Sequence, residues 1–170
     1  MVVCGCMKCG NYRLYSVEAV ANCILKQGAE MGIELTNLKL QKLVYFVQGF
    51  SLALVDHPMF REDIYAWTYG PVIPSLYKKL KRYGAGVVNA HLEACDTLDG
   101  DAEAEGVVRV VMNTLGNMRA MALVSLSHRK DSPWYAAWRE GRFTRIPLWN
   151  IAVYFKDLLA PVEENEVKAH

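Results

Sequence analysis

No apolar run in this 170-residue chain approaches the roughly 20 residues a membrane-spanning helix requires, so such a span is excluded. Net charge is equally scarce. Lys and Arg number 19 against 18 Asp and Glu, leaving +1, so no overall field favours nucleic acid and any such binding has to rest on a local patch. The N-terminus lacks the basic segment, long apolar stretch and cleavage site of a secretory signal, which predicts a cytoplasmic protein in a reducing compartment. A GxSxG nucleophile elbow is missing. Gly84-Ala85-Gly86 is too short for a dinucleotide fingerprint, and no Gly-Lys-Ser/Thr follows it. No cofactor is expected.

Cysteine is present but incomplete for either of its structural uses. Cys4, Cys6 and Cys9 in CGCMKCG make half of a zinc site, which needs a fourth ligand and usually a second, distant pair. Cys23 falls in the first predicted helix, and Cys95 stands alone with only His91 near it. An odd count of 5 in a reducing compartment argues against a disulfide framework. Two readings stay open for CGCMKCG, an oxidisable flexible tail and a bound metal, and the metal content of the purified protein separates them.

What the chain does have is apolar residues, 52% of the total, enough for one core. At this length a single domain buries about 70% of the surface its unfolded form exposes. Ser16 is placed to cap a helix over residues 17 to 31, ended by Gly32. Thr36 is placed to cap an amphipathic helix over 36 to 55, with Leu40, Leu43, Val44, Val47, Phe50 and Leu54 at helical spacing. Pro58 closes that segment. The period-2 stretch EDIYAWTY (62 to 69) predicts a short strand. Tyr69-Gly70-Pro71-Val72-Ile73-Pro74 then predicts a rigid structural turn, in which Gly70 takes positive φ and Pro71 and Pro74 fix the backbone. A helix over 75 to 83 follows, then VVNAH as a brief strand or extended crossing. Residues 93 to 105 carry six acids without a periodic apolar face and read as a solvated loop. Val107 to Leu115 reads as a buried helix, with a strand as the alternative. Further helices are expected over 118 to 126, from Ser132-Pro133 through Trp138, and from Pro147 to Leu159. No internal repeat is evident. The fold class is therefore mainly α (α+β), a compact multi-helix domain with a small β element near residues 62 to 69.

Three ordered blocks carry a resemblance. TNLKLQKLVYFVQGFSLAL, AWTYGPVIPSLYKKLKRYG and LSHRKDSPWYAAW together resemble the Panacea domain, the SocA-like or GepA-like antitoxin domain of bacteria and phages. The resemblance spans about residues 16 to 155. It implies an antitoxin that binds a toxin protein encoded nearby, in a family paired with toxins of unrelated mechanism, and it implies no enzymatic activity. The expected organisation is a flexible segment over 1 to 15, the antitoxin domain over 16 to 160 and a disordered tail over 161 to 170.

Catalytic readings of single residues give way to simpler ones. His128, Asp131 and Ser132 lie close in LSHRKDSPW, but helix termination by His128 and capping by Ser132 account for them, with a cationic His128 tolerated at a helix end. Glu62 and Asp63, adjacent in a strand, point to opposite faces and are expected to solvate an edge. A partner surface is the stronger candidate. Lys78, Lys79, Lys81 and Arg82 project from the helix after the turn, with Tyr77 and Tyr83 beside them, and Lys39 and Lys42 lie on the preceding helix. Trp, Tyr and Arg are the residues that most often anchor protein interfaces. The candidate partner-binding set is Lys39, Lys42, Trp67, Tyr69, Tyr77, Lys78, Lys81, Arg82 and Tyr83, with core packing the competing reading for Trp67 and Tyr77. Neutralisation of a toxin by direct binding is the expected function. Delivery of a partner to an ATP-dependent protease and nucleic-acid-binding regulation are the alternatives.

Overall fold

The computed structural model describes residues 8, 9 and 12 to 161. Cys4, Cys6 and the segment from Val162 lie outside the described residues, and of Cys9 only the backbone is described. A short antiparallel pair, β1 (Lys8–Cys9) and β2 (Tyr12–Arg13), precedes the helices.

Both expected helix caps form. The Ser16 hydroxyl accepts from the Ala19 N–H at 3.2 Å to open α1 (Val17–Glu30), and the Thr36 hydroxyl accepts from Lys39 at 3.3 Å to open α2 (Asn37–Leu54). The expected amphipathic face of α2 is exceeded, because the helix is buried nearly all round and forms the axis of the domain. Around it pack α1, α3 (Pro74–Leu80), α4 (Ala102–Leu115), α5 (Ala120–Ser127) and α7 (Leu148–Leu159). Gly49 permits a close approach of α7 to α2. A Cβ there would stand 2.3 Å from the Phe155 ring, and Phe155 is fully buried among Tyr45, Phe46 and Phe50.

The β element is larger than one strand. β3 (Ile64–Trp67) pairs with β4 (Gly70–Val72) through the two-residue turn Thr68-Tyr69, in the register Tyr65 to Val72 and Trp67 to Gly70. Its other edge takes β5 (Arg145–Ile146), with Ile64 opposite Ile146. Half of the expected rigid turn is therefore strand. Gly70 does have positive φ, +94°, and Pro71 is tolerated because β4 is an edge strand. Pro74 opens α3, which passes into a 3₁₀ turn over Lys81–Tyr83. VVNAH is an extended crossing that makes one bridge, Val87 to Thr36.

Two readings of the acidic residues are corrected. The segment expected as a solvated loop to residue 105 ends at Asp101, which caps α4, and it is stitched to α1: Asn22 exchanges two 2.8 Å hydrogen bonds with Leu92, and Asp96 accepts from Ser16. Glu62 is half-buried rather than solvating an edge, and accepts from the Val17 N–H at the start of α1. The valines of α4 are helical because four of its positions facing α1 and α2 are buried apolar side chains, Val107, Val108, Val111 and Met112, and tertiary packing outweighs β preference. Ser132 caps α6 (Pro133–Glu140) as expected.

Candidate partner-binding site

The hairpin, α3 and the loop before β5 raise an aromatic wall over the first turns of α2. Trp67 ends β3 and is fixed from behind by its carbonyl oxygen, which accepts from Trp134 Nε1 at 2.8 Å. Its ring meets Tyr77 of α3 at 5.1 Å and 65°, and Phe143 at 5.7 Å and 84°. Tyr69 at the hairpin turn is 60% exposed and Phe143 is 59% exposed, values at odds with a core role. The core-packing alternative does hold in part for Trp67, which is half-buried.

Beneath these rings lies a cavity of about 530 Å³ with Asn37 and Gln41 of α2 in its lining and Lys81 at its side. Asn37 and Gln41 are almost wholly buried, yet Asn37 Oδ1 and Gln41 Nε2 have no hydrogen-bond partner among the described residues. Gln41 uses its other amide atom, Oε1, to accept from the Ile73 N–H at 3.0 Å. An unmade hydrogen bond at a buried polar atom costs about 1–3 kcal/mol, so two in one cavity call for an explanation.

The expected basic face divides. Lys78, Lys79, Lys81 and Arg82 are exposed along α3 and the 3₁₀ turn. Lys79 pairs with Glu18 at 2.8 Å, and Arg82 lies over the Tyr83 ring at 5.1 Å. Lys39 is half-buried, which holds its amine below the usual lysine range. Lys42 leaves the surface altogether. It is fully buried, donates from Nζ to the Pro71 carbonyl at 2.6 Å, and is pushed down to about 7 by burial. Its place is structural, between α2 and β4, where its amine meets the Pro71 carbonyl.

His128 is corrected with it. The residue does end α5, but its ring stacks on Trp134 at 3.6 Å, and burial followed by the Lys42 charge moves its pKa down, so the cationic form is disfavoured. Of the sequence-derived set, Trp67, Tyr69, Tyr77 and Lys81 share one cavity, while Lys78, Arg82 and Tyr83 lie beside it. Phe143, Asn37 and Gln41 were missed. Phe143 sits in a segment without periodicity; Asn37 and Gln41 were visible as amides four apart on one face of α2, which is a signal of a shared polar task. A second cavity of about 600 Å³ between α6 and α7 has Trp149 at its mouth, but none of its lining side chains carries an unpartnered buried polar atom.

Among the described residues no cluster of His, Cys, Asp and Glu is arranged to hold a metal, and no helix is long and apolar enough to cross a membrane. Residues 40–135 match the family described as Antitoxin SocA-like, Panacea domain. The chain is 34% identical over 128 residues to Antitoxin SocA of Caulobacter vibrioides (strain NA1000 / CB15N), an alignment covering 69% of this chain and 67% of that protein. No solved structure matches.

Proposed function

From a chain that belongs to the SocA-like Panacea antitoxin family, we propose a protein that neutralises a toxin encoded beside it by binding the toxin directly. The observation that carries this reading is the exposed aromatic wall of Tyr69, Tyr77 and Phe143 next to the unburied cations of α3. Large rings left in water at a concave, cation-rimmed site supply the anchors and the steering charge that a protein interface uses. Occlusion of the toxin's working surface then needs no chemistry from this chain.

The test is co-expression with the small protein encoded next to it. Restored growth together with a co-purifying complex is expected. Rescue with no complex at concentrations well above about 1 μM, equivalent to about −8 kcal/mol, overturns direct neutralisation. Rescue that vanishes in a strain lacking its ATP-dependent proteases, while binding persists, replaces occlusion with delivery to a protease.

A further inference from the structure

We infer that the cavity under Trp67 takes a short extended segment of the partner protein, seating one aromatic or large apolar side chain against Trp67, Tyr77 and Phe143 while the Gln41 and Asn37 amides hydrogen-bond the segment's backbone. The inference rests on the proposal that this chain binds a partner protein, and it specifies what part of that partner enters.

Four observations converge. The two unpartnered atoms are complementary, Gln41 Nε2 a donor and Asn37 Oδ1 an acceptor, and their spacing of four residues puts them on one face of α2. A peptide unit offers the matching pair, a carbonyl and an N–H. Both atoms are covered in the free chain; the Ile73 N–H fixes which way the Gln41 amide faces, and the broad terminal torsion of Asn37 lets its amide turn to meet an incoming chain. The cavity also lies within the about 300–1,000 Å³ of pockets that enclose a ligand, and the side chains of Trp67, Tyr69, Tyr77 and Phe143 wall it, so a protruding segment fills it where a flat protein surface does not.

Ring geometry favours a side chain over a nucleobase. Trp67 meets Tyr77 and Phe143 edge to face, at 65° and 84°, so the rings form an angular cleft and not a pair of parallel plates for a flat base. Phe143 supplies the fourth observation. It holds φ at +62°, a conformation costly for a bulky residue, while leaving its ring 59% exposed. Its N–H donates to the Ala66 carbonyl of β3 at 3.0 Å, so the turn is tied to the sheet, and this backbone conformation leaves the exposed ring edge-on to Trp67 at the rim of the cleft. Lys81 at the side of the cavity, with no ion pair among the described residues, selects an acidic residue beside the anchor.

The probe is the blocked tripeptide acetyl-Asp-Phe-Leu-amide, titrated into the ¹⁵N-labelled full chain and followed by NMR. Saturable shifts are expected at the Gln41 and Asn37 side-chain NH₂ groups and the Trp67 indole. Phe143→Gly relieves the positive φ, so it is expected to melt no lower than the parent while weakening the peptide by about tenfold or more. Gln41→Glu keeps the oxygen that accepts from Ile73 and loses the donor, with a similar loss expected. No saturable shift at these groups overturns the inference. So does equal binding of 3-phenylpropanol, which has the ring and no peptide unit, or stronger binding of adenosine. The titration needs no toxin, so the two proposals fail separately: a silent probe with intact rescue removes only the peptide groove, and a bound probe without rescue removes only the antitoxin role.

Discussion

Lys42 Nζ donates to the Pro71 carbonyl oxygen at 2.6 Å, tying the central helix to the edge strand through an amine with no carboxylate partner among the described residues. Gly70 and Ser127 close over the same point: a Cβ on Gly70 would stand 2.7 Å from Ser127 Oγ and 3.0 Å from Lys42 Cε. The buried Lys42 nitrogen thus joins Trp134 and the β5 pairing in anchoring the hairpin that carries Trp67 and Tyr69.

Stability should rise with pH above neutrality. Burial lowers the Lys42 pKa from 10.5 to about 7, so between those values the unfolded chain binds a proton that the folded chain does not, and the folded state gains as pH increases. Cys23, raised by burial from 9.0 to about 11, acts in the opposite direction above about pH 9, because the unfolded thiol ionises first. The expected rise is thus confined to roughly pH 7 to 9 and amounts to about 1–2 kcal/mol. Urea unfolding across that range measures it. Lys42→Met should flatten the slope, and an unchanged slope would show that the buried amine is not its source.

Gly70→Val should unfold the hairpin's anchorage. The residue needs φ of +94° and has no room for a branched Cβ beside Ser127 and Lys42, so a loss of at least about 1–3 kcal/mol is expected in thermal or denaturant unfolding. Any loss of toxin binding would be indirect. A variant as stable as the parent contradicts this account of the turn.

Lys78→Glu with Arg82→Glu changes two exposed side chains on the rim and should leave the melting temperature within about 2 °C of the parent. Association with an acidic toxin surface should slow, most visibly at low salt. An unchanged association rate places the interface elsewhere. Loss of a DNA or RNA complex with steep salt dependence, if the parent forms one, would promote nucleic-acid recognition instead.

Removal of residues 1 to 10 should leave folding and partner binding nearly unchanged, because the buried core begins at Tyr15 among the described residues. Circular dichroism and metal analysis test this together. Stoichiometric zinc, with unfolding on chelation, would make CGCMKCG a structural element.

Local chemistry was enough for the sequence by itself to determine most of the helices, but not α4, whose first turn reads as loop and whose valines become helical through packing on α1 and α2. Ser16, Thr36 and Ser132 cap where their hydroxyls reach the next turn's N–H groups, Pro74 starts α3, and the apolar spacing of α2 declares a buried face, because each signal acts within four residues. Family membership was legible for a related reason, as three blocks rich in aromatic residues, glycine and proline are specific in their order. Tertiary structure alone decided which cations reach solvent. Lys39 and Lys42 share a helix with no sequence sign that one is half-exposed and the other fully buried, since that depends on where β4 and α5 come to lie. The two residues of β5 were too few to show a period, and they exist as a strand only because β3 offers an unpaired edge. The cavity belongs to the same class: Trp67, Tyr77 and Phe143 are separated by up to 76 positions, and only the packing of hairpin, α3 and loop over α2 sets their rings above Asn37 and Gln41.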